Sequence, residues 1–482
     1  MKNILWKKYK ILAVAVLMLY AALSGAAAQM AQKQKIDFAE MNRPTFRQFT
    51  LSNGIPVYVK ENKANKVRNI SFVLRGGSLT IPQDKAGWPL LAFKTAARAS
   101  VNYPYAVVTD LLDETSSSIS ASATFEYTAL SLNVLDKYFA KLLPVWADMV
   151  TQPAFAKSDF DQVKSEAVLN IQSKDQNPWA KTNLLTNQKF FEGHPYAANP
   201  DGTEATIGKA QLDLIKAWYA ENLSADRAFI VAVGDFSSES LETELEKTFA
   251  AIPNLKLGPV PEAPAFAKTS QGRLFTEEDE QSRGVVYMRG DFAAPNPGSA
   301  DYFSASLAMK LFSDLLFTIV RDQYGAVYTP GSYIRSFGAN YGSITIYKTS
   351  ATEKIKSYID EAAEVMADGR CVSVDPSRPG EESKFMKIPD ALEAYKQMFK
   401  NEYFNALRTN SAMAGMMIRS AINSGDPADW IMDVQRIQAV TPSQISEAFS
   451  HYVLDGGFTW VALGDPGLLG KLNPADFTKI GK

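Results

Sequence analysis

Val231-Ala232-Val233-Gly234-Asp235 returns near the end of the chain as Val461-Ala462-Leu463-Gly464-Asp465. Each copy is a short apolar run closed by Gly-Asp, which reads as a buried strand stopping at a turn. A helix is predicted to lead into each, over 209–219 and 443–452. An earlier pair stands in the same order: Ile70-Ser71-Phe72-Val73-Leu74-Arg75-Gly76 is echoed by Gly284-Val285-Val286-Tyr287-Met288-Arg289-Gly290, with Arg-Gly falling on Arg-Gly. The two offsets, 214 and 230 residues, differ by only 16. Two echoes in order at similar spacing imply duplication of one unit of about 210 residues.

Within each unit the patterns interleave strands and helices. In the first, Phe49-Thr50-Leu51, a turn at Ser52-Asn53-Gly54 and the run 55–59 give a hairpin signal, and 70–74, 116–124 and 127–133 read as further strands. Helical spacing covers 87–100, 135–150, 159–174 and 179–192. The fold class predicted is α+β, with two tandem homologous halves, 46–252 and 271–470, each packing a sheet on a helical layer. Between them, 253–270 holds Pro253, Pro259, Pro261 and Pro264, the composition of a stiff, extended linker. In the second half, 370–389 carries Pro376, Pro379, Gly380 and mixed charge, and reads as an exposed loop insertion.

At 482 residues and 46% hydrophobic, the chain can bury more than one core. Lys2, Lys7, Lys8 and Lys10, an apolar run over 11–23, and small residues Ala26 and Ala28 predict an export signal at 1–28, cleaved after Ala28. An uncleaved anchor is the alternative, against which the run is short for a full bilayer span; after cleavage no membrane span is expected. Losing that segment takes four lysines and no acid from a chain of net charge −2, leaving −6. An acidic surface argues against a nucleic-acid partner.

Cys371 is the only cysteine, so no intrachain disulfide can form. The only histidines are His194, in the polar turn Glu192-Gly193-His194-Pro195-Tyr196, and His451, at a helix end where a cation is favoured anyway. With no HExxH or CxxC spacing, no metal site built from this chain's own side chains is expected. Adjacent acids such as Asp113-Glu114 and Glu277-Glu278-Asp279-Glu280 read as solvated surface.

Arg321-Asp322-Gln323-Tyr324-Gly325-Ala326-Val327-Tyr328 follows a run in which Phe303, Leu307, Leu311, Leu315 and Ile319 recur every four residues. Gly325 is expected to end that helix at φ > 0, and Val327-Tyr328 to open a strand. Taken alone, Arg321 compensates the helix dipole and Tyr328 is an ordinary strand aromatic.

Several stretches together resemble the M16 peptidases, the pitrilysin and insulinase family, in particular the short-chain branch with mitochondrial processing peptidase. They are Leu51-Ser52-Asn53-Gly54-Ile55-Pro56-Val57, Arg75-Gly76-Gly77-Ser78, His194-Pro195-Tyr196 with Pro200-Asp201-Gly202-Thr203, the two Gly-Asp strand ends, and residues 321–328. The resemblance implies two α/β-roll domains of the LuxS-like metallohydrolase type. It also implies a His-x-x-Glu-His zinc motif on the first long helix, but the matching positions hold Leu90, Phe93 and Lys94, and the downstream ligand falls at Ile171. Apolar residues and a lysine cannot ligate zinc. The nearby Glu166 reads as a helix-surface residue.

What the resemblance retains is an arginine and a tyrosine that, in active members, hold substrate and stabilise the tetrahedral intermediate; Arg321 and Tyr328 match them. Some bacterial members divide the work between a zinc-bearing chain and a chain carrying this pair. The expectation is therefore a zinc-less subunit in the bacterial periplasm, binding no cofactor itself, with a zinc-bearing homologue as hetero-oligomeric partner and a peptide as substrate. The alternative is a peptide-binding or assembly protein without proteolytic role. Strand 116–124, which in the family pairs with substrate, would then place Ser117, Ser118, Ser120 and Ser122 beside a captured peptide.

Overall fold

The computed structural model describes residues 38–374 and 384–481. The expected export signal and the centre of the expected insertion lie outside the described residues. Residues 38–45 form a short helical lead-in, Phe38–Asn42 and Arg43–Thr45, separate from the compact body that begins at Phe46.

Two sheets organise that body. β1 (Phe46–Thr50), β2 (Pro56–Glu61), β3 (Val67–Arg75), β4 (Ser118–Ala123), β5 (Tyr127–Leu135) and β6 (Ala228–Gly234) make the first, in the order β1-β2-β6-β3-β5-β4. β7 (Arg273–Glu278), β8 (Val286–Ala293), β9 (Val327–Ile334), β10 (Tyr341–Thr349) and β13 (Thr459–Gly464) make the second, in the order β7-β13-β8-β10-β9. The orders coincide once the extra edge strand β1 is set aside. Even the strand directions agree: β2 runs parallel to β6 as β7 does to β13, and the other pairs are antiparallel. The chain is a duplicated α+β unit.

The two echoes fare differently. Gly234 and Gly464 end equivalent strands with matching backbones, φ +151° and +157°. The Arg-Gly echo does not survive. Asn69 faces Val233 in the first sheet and Tyr287 faces Leu463 in the second, so Arg289 is the structural counterpart of Ser71 and not of Arg75. Arg75 closes its strand, whereas Arg289 lies mid-strand, 2% exposed, with Nε and Nη2 donating to Asp291 at 2.8 and 2.7 Å.

In the first half α1 (Trp88–Ala96), α2 (Tyr105–Thr115), α3 (Phe139–Thr151), α4 (Lys157–Asp175), α5 (Pro178–Phe190), α6 (Leu212–Asn222) and α7 (Ser238–Phe249) are the main helices. One sheet face sends Ile70, Phe72, Leu74, Ile230 and Ala232 into a core with Leu91, Phe93, Trp146 and Phe249. In the second half α8 (Tyr302–Leu316), α9 (Ile355–Ala367), α10 (Ile388–Ala406), α11 (Asn410–Asn423) and α12 (Pro442–Phe449) surround an equivalent core. Tyr302–Gln323 is the one described helix long and apolar enough to cross a membrane, and two-thirds of its apolar window is buried inside the protein.

The remaining sheet faces are covered by exchange. α5 of the first half packs on β8 and β13 of the second, and α11 of the second packs on β3 and β6 of the first. Burial on both faces is why β6 and β13 read as continuous apolar runs and not as alternating ones.

The linker carries no helix or strand over 253–270 and is tied at both ends. Arg227 donates to the carbonyls of Leu257 and Gly258, and His194 Nε2 lies 2.8 Å from the Pro264 carbonyl. The His194 Nδ1 accepts from the Tyr196 N–H, and burial lowers the His194 pKa, so the ring stays neutral with its proton on Nε2. His194 is thus a clamp on the linker. Phe266 joins Phe125, Phe191 and Tyr196 of the first half and Tyr341 of the second in a third apolar cluster.

The expected insertion at 370–389 needs correction at its edges. β11 (Arg370–Val372) and β12 (Phe385–Lys387) pair as a ribbon, Cys371 is fully buried, and burial pushes its thiol up to about 12. The proline and charge between them masked two short apolar flanks that belong to the second core.

Candidate functional site

At the end of α8 the helix widens into a π-helical stretch, Phe317–Gln323, that carries Arg321. Gly325 stops it at φ +59°, its N–H donating to the Arg321 carbonyl, and β9 begins two residues later. This is the glycine-capped helix and strand expected from the sequence. π-helical widening recurs at functional sites because it re-aims side chains without ending the helix. Here the Arg321 guanidinium lies 4.5 Å from the Phe317 ring and 5.8 Å from the Tyr328 ring. Among the described residues it has no ion-pair partner and no side-chain hydrogen bond, so its forked donors are free. Tyr328, on edge strand β9, is 66% exposed.

Three aromatics that the sequence reading missed stand behind the pair. Tyr347 of β10 lies 6.2 Å from Tyr328 between ring centres, and Trp179 of α5 meets Tyr347 at 5.6 Å and Tyr287 at 6.5 Å. Trp179 belongs to the exchanged helix, so no local signal could place it there. Tyr324 stacks on Tyr358 at 3.9 Å and its hydroxyl donates to Glu361, pinning the π-helical stretch to α9.

The first half presents a cleft of about 520 Å³ between α1, α2, α4 and β4. Lys94 and Glu166 line it together with Ser117, Ser118 and Ser120. Of the positions matched to the family's zinc motif, Leu90 is half-buried, Phe93 and Ile171 belong to the core, and Lys94 is exposed at the cleft. These four side chains offer a metal no donor. Among the described residues no three His, Cys, Asp or Glu side chains gather in a way that could hold one. Glu166 is exposed on α4 and accepts from Gln162 Nε2 at 2.8 Å.

On β4, Ser118, Ser120 and Ser122 face outward while Ile119 and Ala121 pack against the core, the alternation of a strand buried on one face. Ser122 is not among the cleft's walls, and Ser117 precedes the strand, accepting from Thr115 Oγ1 at 3.0 Å. Arg321 and Tyr328 are not walls of this cleft either. The structure joins the pair to each other and gathers Ser117, Ser118 and Ser120 with Lys94, but leaves these as separate features.

Residues 57–199 match the insulinase family, peptidase family M16, and residues 209–369 match the peptidase M16 inactive domain. The chain belongs to the M16 peptidase family. Among M16 relatives, the mitochondrial-processing peptidase subunit alpha of Solanum tuberosum is 26% identical over 199 residues, 40% of this chain and 38% of that protein. This chain thus spans well under half of that relative's length. The M16 inactive domain from Pseudomonas fluorescens superposes with a TM-score of 0.72 at 17% identity, over 87% of this chain and 98% of that one. The periplasmic protease PqqL from Escherichia coli gives 0.69 at 16%, over 87% of this chain and 45% of its own. At such identities the superpositions speak for the M16 fold alone.

Proposed function

We propose that this chain is the zinc-less subunit of an exported, hetero-oligomeric M16 metallopeptidase, lending Arg321 and Tyr328 to the active site of a partner that holds the zinc. The observation that carries this reading is the state of the pair: a guanidinium with unengaged donors beside a phenol two-thirds exposed, on the open edge of the second sheet. A guanidinium fork suits the carbonyl or carboxylate oxygens of a bound peptide, and a phenol gives one directed hydrogen bond to a developing oxyanion. The side chains at 90, 93, 94 and 171 supply neither zinc ligand nor general base, so the chain acts on chemistry performed elsewhere. The potato relative is itself named as one subunit of a processing peptidase.

Co-expression with an exported M16 homologue that carries the zinc motif is expected to yield peptidase activity. Arg321→Ala or Tyr328→Phe then lowers kcat by about 10²–10³-fold, the cost of losing an oxyanion donor. A partner fully active without this chain would sink the reading.

The second reading, a peptide-binding or assembly protein, draws on the open edge of β4 beside the 520 Å³ cleft. Extended peptides add to such edges through main-chain hydrogen bonds. Capture of an extended peptide by the isolated chain that survives Arg321→Ala would favour it over the first.

A further inference from the structure

Between the two halves, walled on one side by the linker, lies a chamber of about 650 Å³. That is the size of a small-molecule site. Its walls bring together Arg75 at the end of β3, Glu126 in the β4–β5 turn, Pro261 of the linker and Asn423 at the end of α11. Asp226 and Arg227 line it too, but both are engaged: Asp226 accepts from Ser224 and from the Gly258 N–H, and Arg227 holds linker carbonyls.

Arg75 is not engaged in this way. Half-buried, it lies 4.6 Å over the Phe229 ring, and its one side-chain hydrogen bond is a long donation to the Ala421 carbonyl at 3.3 Å. No carboxylate pairs with it among the described residues. Burial lowers its pKa, opposed only by Tyr58. A guanidinium offers five N–H donors in a fork shaped for a carboxylate, and a desolvated one without a counter-ion is unfavourable until an anion arrives.

Glu126 supplies the acid, its pKa raised by burial against the two hydrogen bonds it accepts. Its Oε1 accepts from the Tyr196 hydroxyl at 2.6 Å and the Gly338 N–H at 2.5 Å, while Oε2 accepts nothing from the described residues and no lysine or arginine pairs with it. Asn423 donates its Nδ2 to the Ser336 carbonyl, which leaves its buried Oδ1 without a donor. One chamber therefore holds a guanidinium with no carboxylate partner, and a carboxylate oxygen and an amide oxygen with no donor, among the described residues.

A short unblocked peptide carries the complement of all three: a carboxylate, an ammonium and amide N–H groups between them. We propose that this chamber binds a di- or tripeptide by its free termini, Arg75 taking the α-carboxylate and Glu126 the α-ammonium. The site is independent of Arg321 and Tyr328, and no bond is made or broken in it.

The test is calorimetric titration of the full chain with trialanine, N-acetyl-trialanine and trialanine amide. Trialanine is expected to bind one to one, and either blocking group to weaken binding about tenfold or more. Arg75→Met keeps an unbranched stem over Phe229 and removes only the preference for a free carboxylate. Glu126→Gln keeps an oxygen for Tyr196 and Gly338 and removes only the preference for a free amine. Circular dichroism establishes that both variants fold, and if one does not, the wild-type response to the blocked peptides decides alone. Absence of trialanine binding, equal binding of all three peptides, or a folded variant that weakens all three equally overturns the assignment.

Discussion

Asp433 shows how one residue's surroundings set its chemistry. Arg436 gives its two-pronged contact to Asp429, at 2.6 and 2.8 Å, and only a single contact of 3.1 Å to Asp433. Burial then dominates and pushes the Asp433 carboxyl up to about 7. The unfolded chain loses this proton near pH 3.9, the ordinary aspartate value. Between about pH 4 and 7 the folded protein therefore binds a proton that the unfolded chain does not, and stability falls as pH rises through that window, by at most about 1.4 kcal/mol per unit, before levelling off above 7. Asp433→Asn is expected to flatten this slope. Urea denaturation of both proteins from pH 4.5 to 7.5 checks it, and parallel curves would refute it. Nothing in the sequence announces this residue, because Asp429, Asp433 and Arg436 look like any solvated charged helix face until burial is known.

Elements can be read from sequence where a backbone requirement has a residue signature. Gly325 is such a case: a helix turning into a strand needs φ > 0, and a glycine between Tyr324 and Ala326 announced it. The π-helical widening before it has no such signature, since it depends on how Tyr324 is held by Tyr358 and Glu361 of α9. β10 hides a similar feature. Its register against β8 shifts between Ile346 and Thr349, and Lys348, within the irregular step, sits at φ +63°. That conformation costs a residue with a Cβ roughly 1–2 kcal/mol, and a β-branched residue tolerates it least. Lys348→Gly is expected to leave the urea midpoint unchanged or raised, whereas Lys348→Val lowers stability by about 1–2 kcal/mol. Equal loss in both variants would mean that the lysine side chain, and not the backbone, matters there. Because Tyr347 adjoins this step and contacts Tyr328, the irregularity also belongs to the geometry of the candidate site.

At the scale of the molecule, the duplication was legible because buried strands repeat their apolar run and closing Gly-Asp, while the exchange of α5 and α11 was not. A helix that covers the other half's sheet carries the same amphipathic spacing as one that covers its own, so periodicity cannot say whose sheet it meets. Yet the exchange is what joins the halves. Asn183 of α5 accepts from Arg289 at 3.0 Å in the second sheet, Arg289 and Ser343 both donate to the buried Asp291, and Asn410 of α11 donates to the Val67 carbonyl in the first. The linker adds its own anchors at Arg227 and His194, one near each end. Covalent continuity between the halves is therefore not needed once they have folded. With a protease site introduced between Glu262 and Ala263, the cleaved protein is expected to elute from size exclusion as one intact species. Each half expressed alone exposes the sheet face its missing helix covered and is expected to bind a hydrophobic dye or aggregate. Separation of the cleaved halves at low denaturant would show instead that the tether holds them, and that the exchanged helices contribute little.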